Sequence, residues 1–228
     1  MTATLQALGF DAHDPHRLTR FWAEILGWES DGTVLIPTDD TGFRIRFVAA
    51  GELKAGKNHA HFDLTSESLE GQRNTVARVL DLGGRRIDIG QSPEEEHVVL
   101  ADPEGNEFCV IEPGNGFLAE CGFVGALACD GSRAAGHFWS KALDWPLVWD
   151  EGEETAIRSP HGGPKITWGG PPFDAKTGKR RVRFDLGGPP AEVDRLVSLG
   201  ATRLGTGEDG RVELADPDGN EFSVVVTR

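Results

Sequence analysis

The chain has 228 residues, with 23 Lys and Arg against 37 Asp and Glu, a formal net charge of −14. This acidity disfavours nucleic acid and anionic membrane as partners, since both demand a positive face. Three cysteines (Cys109, Cys121 and Cys129) without CxxC spacing suggest neither a disulfide framework nor a zinc site.

In chain order, residues 4–12 read as a strand. Asp14 then Pro15 signals a helix over about 14–26, with Phe21, Trp22, Ile25 and Leu26 on its buried face. Strands are predicted near 33–37, 43–48 and 59–65. Leu69, Val76, Val79 and Leu82 then keep helical phase until Gly83 and Gly84. Strands near 85–90, 96–101 and 107–112 follow. Pro113 to Gly116 reads as the start of a linker. The second half repeats this order. Its elements are a strand at 122–129, a helix at 132–143, and strands near 147–150, 154–158, 164–168 and 181–186. A helix at 190–199 and three strands ending at Val226 complete it. The segment from Gly169 to Lys179 lacks the frame of a phosphate-binding loop and reads as a surface connection. No stretch approaches the roughly 18 apolar residues of a membrane span. The first residues show no basic segment leading into an apolar run, so a soluble, cytoplasmic protein is expected.

The halves are copies. Leu100 to Val110 (LADPEGNEFCV) and Leu214 to Val224 (LADPDGNEFSV) agree at nine of eleven positions, at an offset of 114. Phe21, Trp22, Leu26 and Trp28 return as Phe138, Trp139, Leu143 and Trp145. Such a repeat is too long for a solenoid unit of about 20–50 residues, so one small domain is used twice. Domains are predicted at 1–113 and 121–228. Asp, Pro and Gly in Asp102 to Asn106 and in Asp216 to Asn220 supply tight-turn chemistry between two strands, which makes the motif a fold signature.

With βαβββ units, this turn before the last strand, F-W-x-x-x-L on the first helix and the phrase "HFDL" at His61 to Leu64, the chain resembles the vicinal oxygen chelate superfamily. That group includes glyoxalase I, extradiol dioxygenases and the fosfomycin- and bleomycin-resistance proteins. The resemblance is to its glyoxalase-like branch. It implies an α+β fold of two tandem glyoxalase-like domains, four βαβββ modules in cupped mixed sheets, with a small ligand in the cup. It also implies a divalent metal on inward-facing His and Glu. The glutamate position of the last strand holds Cys109 in one copy and Ser223 in the other. No histidine occupies the first-strand positions, and Arg44, Arg46, Lys165 and Thr167 stand where a mid-cup carboxylate would fall. Only His61 matches a ligand position, and Arg183 is its counterpart. No catalytic metal and no cofactor are therefore expected.

By strand alternation, His61 and Asp63 face the cup while Phe62 and Leu64 face the helices. The expected linings are His61, Asp63, Arg46 and Cys109 in one cup, and Arg183, Asp185, Thr167 and Ser223 in the other, with Trp168 available to stack on a flat ligand. Arg46 and Arg183 either offer charge to an anionic ligand or pair with Asp63 and Asp185. The leading expectation is a metal-independent small-molecule-binding protein. A glyoxalase-like lyase or isomerase with His61 as base is one alternative, and a sequestering, bleomycin-resistance-like protein is another. The partner is expected to be a small molecule alone, and the assembly a monomer with an internal pseudo-dimer or a homodimer.

Overall fold

The structure, a computed structural model, describes residues 2–227 except 53, 93, 174, 175, 177 and 208. Four modules follow one another. The first is β1 (Thr4–Ala12), α1 (Pro15–Leu26), β2 (Glu29–Asp31), β3 (Val34–Ile36) and β4 (Arg44–Ala49). The second is β5 (Ala60–Leu64), α2 (Leu69–Asp81), β6 (Arg85–Arg86), β7 (Val98–Ala101) and β8 (Glu107–Val110). The third is β9 (Val124–Cys129), α3 (Arg133–Leu143), β10 (Leu147–Glu151), β11 (Glu154–Arg158) and β12 (Lys165–Trp168). The fourth is β13 (Val182–Gly188), α4 (Ala191–Ser198), β14 (Thr202–Thr206), β15 (Val212–Ala215) and β16 (Glu221–Val226). The fold is the α+β arrangement of four βαβββ modules that the periodicity predicts, with the short β2 added. Part of the 169–179 segment lies outside the described residues.

The helix starts follow their caps. The Asp14 side chain accepts from Arg17 N at the start of α1, and Ser68 and Ser132 accept from Gly71 N and Ala135 N at α2 and α3. Each copy then ties its first helix to its repeated turn. Trp22 Nε1 donates to Asp102 Oδ2 at 3.2 Å, and Trp139 Nε1 donates to Asp216 Oδ2 at 3.2 Å. The turn residue Glu104 accepts from His13 N and Asp14 N, as Asp218 accepts from Ser132 N. Edge-to-face contacts set Trp22 against Phe62 and Phe108, and Trp139 against Phe184 and Phe222. The motif is therefore a latch between helix and hairpin, the same in both copies.

Strand pairing crosses the copies. One eight-stranded sheet runs β14-β15-β16-β13-β1-β4-β3-β2, and the other runs β10-β11-β12-β9-β5-β8-β7-β6. The first sheet joins the first module to the fourth through antiparallel β1 and β13. The second joins the second module to the third through antiparallel β5 and β9. The two copies thus pair within one chain, as expected. Each cup, however, takes half of its strands from each copy.

One close approach seats α3 on the second sheet. A Cβ added at Gly136 would lie 1.9 Å from Thr155 Oγ1 and 3.2 Å from Trp168 Cε3. Gly136→Ala gains about 1 kcal/mol of helix propensity. Overpacking costs about 1–3 kcal/mol or more. Net destabilisation is expected in urea unfolding, with most of it recovered when Thr155→Ala makes room. A Gly136→Ala protein as stable as wild type would contradict this packing.

Candidate functional site

The first cup is filled with ion pairs. Gly9 stands in register with Arg46 and Arg183, and Ala7 with Asp185, so these groups share one face. Arg46 Nη2 meets Asp185 Oδ2 at 2.6 Å, Arg211 Nη1 meets the same oxygen at 3.2 Å, and Ser223 Oγ donates to Asp185 Oδ1 at 2.7 Å. Arg183 makes a two-pronged pair with Asp11, at 2.6 and 2.9 Å. Burial opposes the Arg183 charge, but Asp11, Asp185 and Glu213 hold its pKa above the ordinary arginine value. The cross-copy sheet corrects the expected lining. Arg46 belongs with Arg183, Asp185 and Ser223, not with His61, because β4 and β13 flank β1. The arginines do form ion pairs, but with Asp185 and Asp11 in place of Asp63 and Asp185.

The second cup holds His61, Asp63, Cys109 and Thr167. A row of paired residues crosses it, running Trp149, Ala156, Thr167, Ala128, His61 over β10, β11, β12, β9 and β5. A parallel row runs Arg158, Lys165, Ala126, Asp63, Cys109, Val99. The connection between copies lies over this second row. Leu118, 5% exposed, packs in a small apolar cluster with Val99, Cys109, Ile111 and Ala126. Lys165 Nζ donates to Phe117 O and stands 4.1 Å from that ring's centroid, and Arg158 Nη2 donates to Glu120 O. What remains is a hollow of about 590 Å3 bordered by Phe117, Trp149, Glu154 and Thr167. The Phe117 and Trp149 rings meet edge to face at 5.9 Å, each 37% exposed.

Trp168 borders the hollow, yet the ring expected to stack on a ligand is almost fully covered. Its ring packs behind the sheet beside Gly131 and Gly136 and is 2% exposed, because it pairs in register with Cys129 and Thr155 on the helix-facing side. Trp149, two strands further out on β10, carries the exposed indole. Phe117 and Leu118 were also missed. They sit in a linker, where neither periodicity nor the repeat gives a signal, although the absence of a tryptophan at the Trp149 position of the first copy was one.

His61 Nε2 lies 3.5 Å from Asp63 Oδ1. Burial works against a charged ring, but hydrogen bonds to Asp63 and Cys109, with their coulombic pull, raise its pKa to about 10. Burial pushes the Cys109 thiol up, with the His61 hydrogen bond pulling the other way. His61, Asp63 and Cys109 offer ligand atoms within 4.8 Å of one another, the one such three-donor group among the described residues. This set of one imidazole, one carboxylate and one thiol departs from the His and Glu ligands of the family resemblance, because Cys109 stands at the glutamate position. The facing positions on β9 and β12 offer Ala126, Ala128, Thr167 and the Lys165 ammonium. A second polar chamber, between the sheets near His59, Asp130, Asp216 and Asn220, measures about 20 Å3, room for a water at most.

A family model described as "Glyoxalase-like domain" matches the chain twice, at residues 7–111 and 125–225. No curated protein matches. Among solved structures, glyoxalase I from Zea mays superposes with a TM-score of 0.68 at 14% identity, over 99% of this chain and 92% of that one. A putative dioxygenase from Bacillus subtilis superposes at 0.62 and 13% identity, over 99% and 85%. At these identities the likeness shows the fold alone. Among the described residues no helix is long and apolar enough to cross a membrane. Two family matches over repeated βαβββ modules, on a fold shared along nearly the whole chain, place this protein in the glyoxalase-like domain family of the vicinal oxygen chelate superfamily, with two tandem domains.

Proposed function

We propose that the chain is a metal-independent small-molecule-binding protein and that its ligand occupies the second cup. The observation that carries this reading is the 590 Å3 hollow bordered by Phe117 and Trp149, a volume within the usual range for small-ligand pockets of about 300–1,000 Å3. Two half-exposed aromatic rings facing one hollow leave apolar area for a ligand to cover. The first cup argues against itself, because Arg46, Arg183 and Arg211 are spent on carboxylates. A groove of about 660 Å3 beside the start of α2 is larger. It lies at strand ends, edged by Ser66, Ser68, Glu112 and Asn115.

A lyase or isomerase with His61 as base has less support. Its pairing with Asp63 makes the ring a proton donor near neutral pH, which is the wrong form for a base.

Indole fluorescence and calorimetric titration against a small-molecule library test the proposal. Hits are expected to bind without added metal and in the presence of chelator. Trp149→Ala and Phe117→Ala each weaken binding about 10-fold or more, while Arg46→Ala leaves it unchanged. Binding that requires a divalent ion, or that follows Arg46 and ignores Trp149, would overturn it.

A further inference from the structure

The connection between the two copies is longer than its task requires. Leu64 pairs in register with Val110 at the end of β8 and with Val124 at the start of β9. The two ends therefore lie on either side of β5, two strand spacings apart. At roughly 4.8 Å per spacing that is about 10 Å, which about three extended residues would span. The chain uses residues 111–123 instead and lays the excess over the second cup.

The excess is a compact piece with bonds of its own. Leu118 N donates to Asn115 Oδ1 at 3.2 Å, and Cys121 N donates to Leu118 O at 2.9 Å. Gly114, at φ 83°, stands at one end of the piece and Gly122 at the other. Its hold on the sheet is slight. Leu118 seats it on Val99, Cys109, Ile111 and Ala126, a cluster separate from the main core. Lys165 and Arg158 reach from β12 and β11 to the Phe117 and Glu120 carbonyl oxygens, in bonds open to water. Space flanks it on both sides, the hollow of about 590 Å3 beside Phe117 and the groove of about 660 Å3 beside Leu118, Ala119 and Cys121. A segment with few buried apolar contacts and water-exposed anchors opens at a lower free energy than the whole fold.

We infer that residues 113–122 form a lid on the second cup, which lifts Leu118 off Cys109 to open the cup floor and reseats with Phe117 beside the ligand. This rests on the reading of the second cup as the binding site and adds how that site is gated. With the lid seated Cys109 is 6% exposed, and the His61 and Asp63 donor atoms lie within 4.8 Å of its sulfur. Phe117 borders the hollow and Leu118 covers Cys109, so lifting the lid extends the hollow toward these donors. The movement breaks no strand pairing, because the slack lies between β8 and β9.

The test uses Cys109 as a reporter in the whole chain carrying Cys121→Ser and Cys129→Ala. Excess N-ethylmaleimide labels it, and mass follows the rate at urea concentrations below the unfolding transition. A lid gives a rate nearly independent of urea and at least about 10-fold faster than global unfolding allows, because local opening exposes little surface. Arg158→Gln, which leaves Leu118 in place, is expected to raise the rate about 3-fold, and Leu118→Ala about 10-fold or more. Amide exchange of the unaltered chain gives the same reading without cysteine changes. The Leu118 and Cys121 amides exchange by a urea-independent route, while those of β5 and β9 follow global unfolding. Labelling that climbs with urea as steeply as global unfolding, or no gain in rate in Arg158→Gln and Leu118→Ala, overturns the lid. The labelling needs no ligand. A failed lid therefore leaves the site to the Trp149→Ala titration, and a failed titration leaves the lid to this experiment.

Discussion

Removing the Asp102 carboxylate is expected to cost the fold on the order of 4 kcal/mol, the largest single-residue effect argued from this structure. Asp102 is fully buried, and its oxygens accept from Trp22 Nε1, Glu104 N, Asn106 N and Asn106 Nδ2 at 2.8–3.2 Å. In Asp102→Ala those four donors lose their acceptor, and each unsatisfied buried donor costs about 1–3 kcal/mol before relaxation. Asp102→Asn is expected to fall between, since one amide oxygen replaces two carboxylate oxygens and its NH2 faces a donor. The repeat supplies an internal control. Asp216 accepts from Trp139 Nε1, Asp218 N, Asn220 N and Asn220 Nδ2, so Asp216→Ala should behave alike. Urea unfolding of both variants measures this. A loss below about 1 kcal/mol in either would show that the latch is not structural.

Acid is expected to weaken the fold through His59, with a window that separates it from ordinary carboxylate titration. His59 lies in the seam between the sheets at 9% exposure. Burial first, then Arg180, Lys176 and Arg183, lowers its pKa from 6.5 to about 3. Between those values the unfolded chain carries a proton there that the folded chain refuses, so stability falls as pH falls from about 6.5. At about pH 4.5 the loss from this residue is on the order of 3 kcal/mol. His59→Gln removes the titrating group, and its urea midpoint should decline less than that of wild type between pH 7 and 4.5. Parallel declines in the two proteins would remove His59 from the account. His61 behaves in the opposite sense, because its raised pKa makes its contribution full below about 6.5 and lost as pH rises toward 10.

The element order was legible because apolar periodicity and caps act locally. Asp14 before Pro15, the helical phase of Phe21 to Leu26 and the alternation around Phe62 each need only a few neighbours to take effect. The repeated D-P-x-G-N segment was readable as a turn from its own residues. Its second role, as acceptor for a tryptophan some 80 positions away, was not, since nothing local in either segment encodes the pairing.

The candidate site divides in the same way. Strand alternation put His61, Asp63 and Cys109 on an inward face, and it holds because each side chain follows from its own strand's pleat. Which strands face each other across a cup is a different kind of fact. It depends on β1 choosing β13 and β5 choosing β9, pairings between residues 60 or more positions apart. That choice moved Arg46 away from His61 and brought Thr167 to it. The pleat that turns Thr167 into the cup turns its neighbour Trp168 into the core, while the linker lays Phe117 and Leu118 over a face that their sequence does not mention. By itself the sequence determined the modules, their repetition, the repeated turns and the inward-facing donors, all set by local backbone preference and hydrophobic period. Only the tertiary structure decided how the two copies share their sheets, because strand pairing between distant segments is settled by burial of whole faces, and that left one cup filled with ion pairs and the other with a hollow beside Phe117 and Trp149.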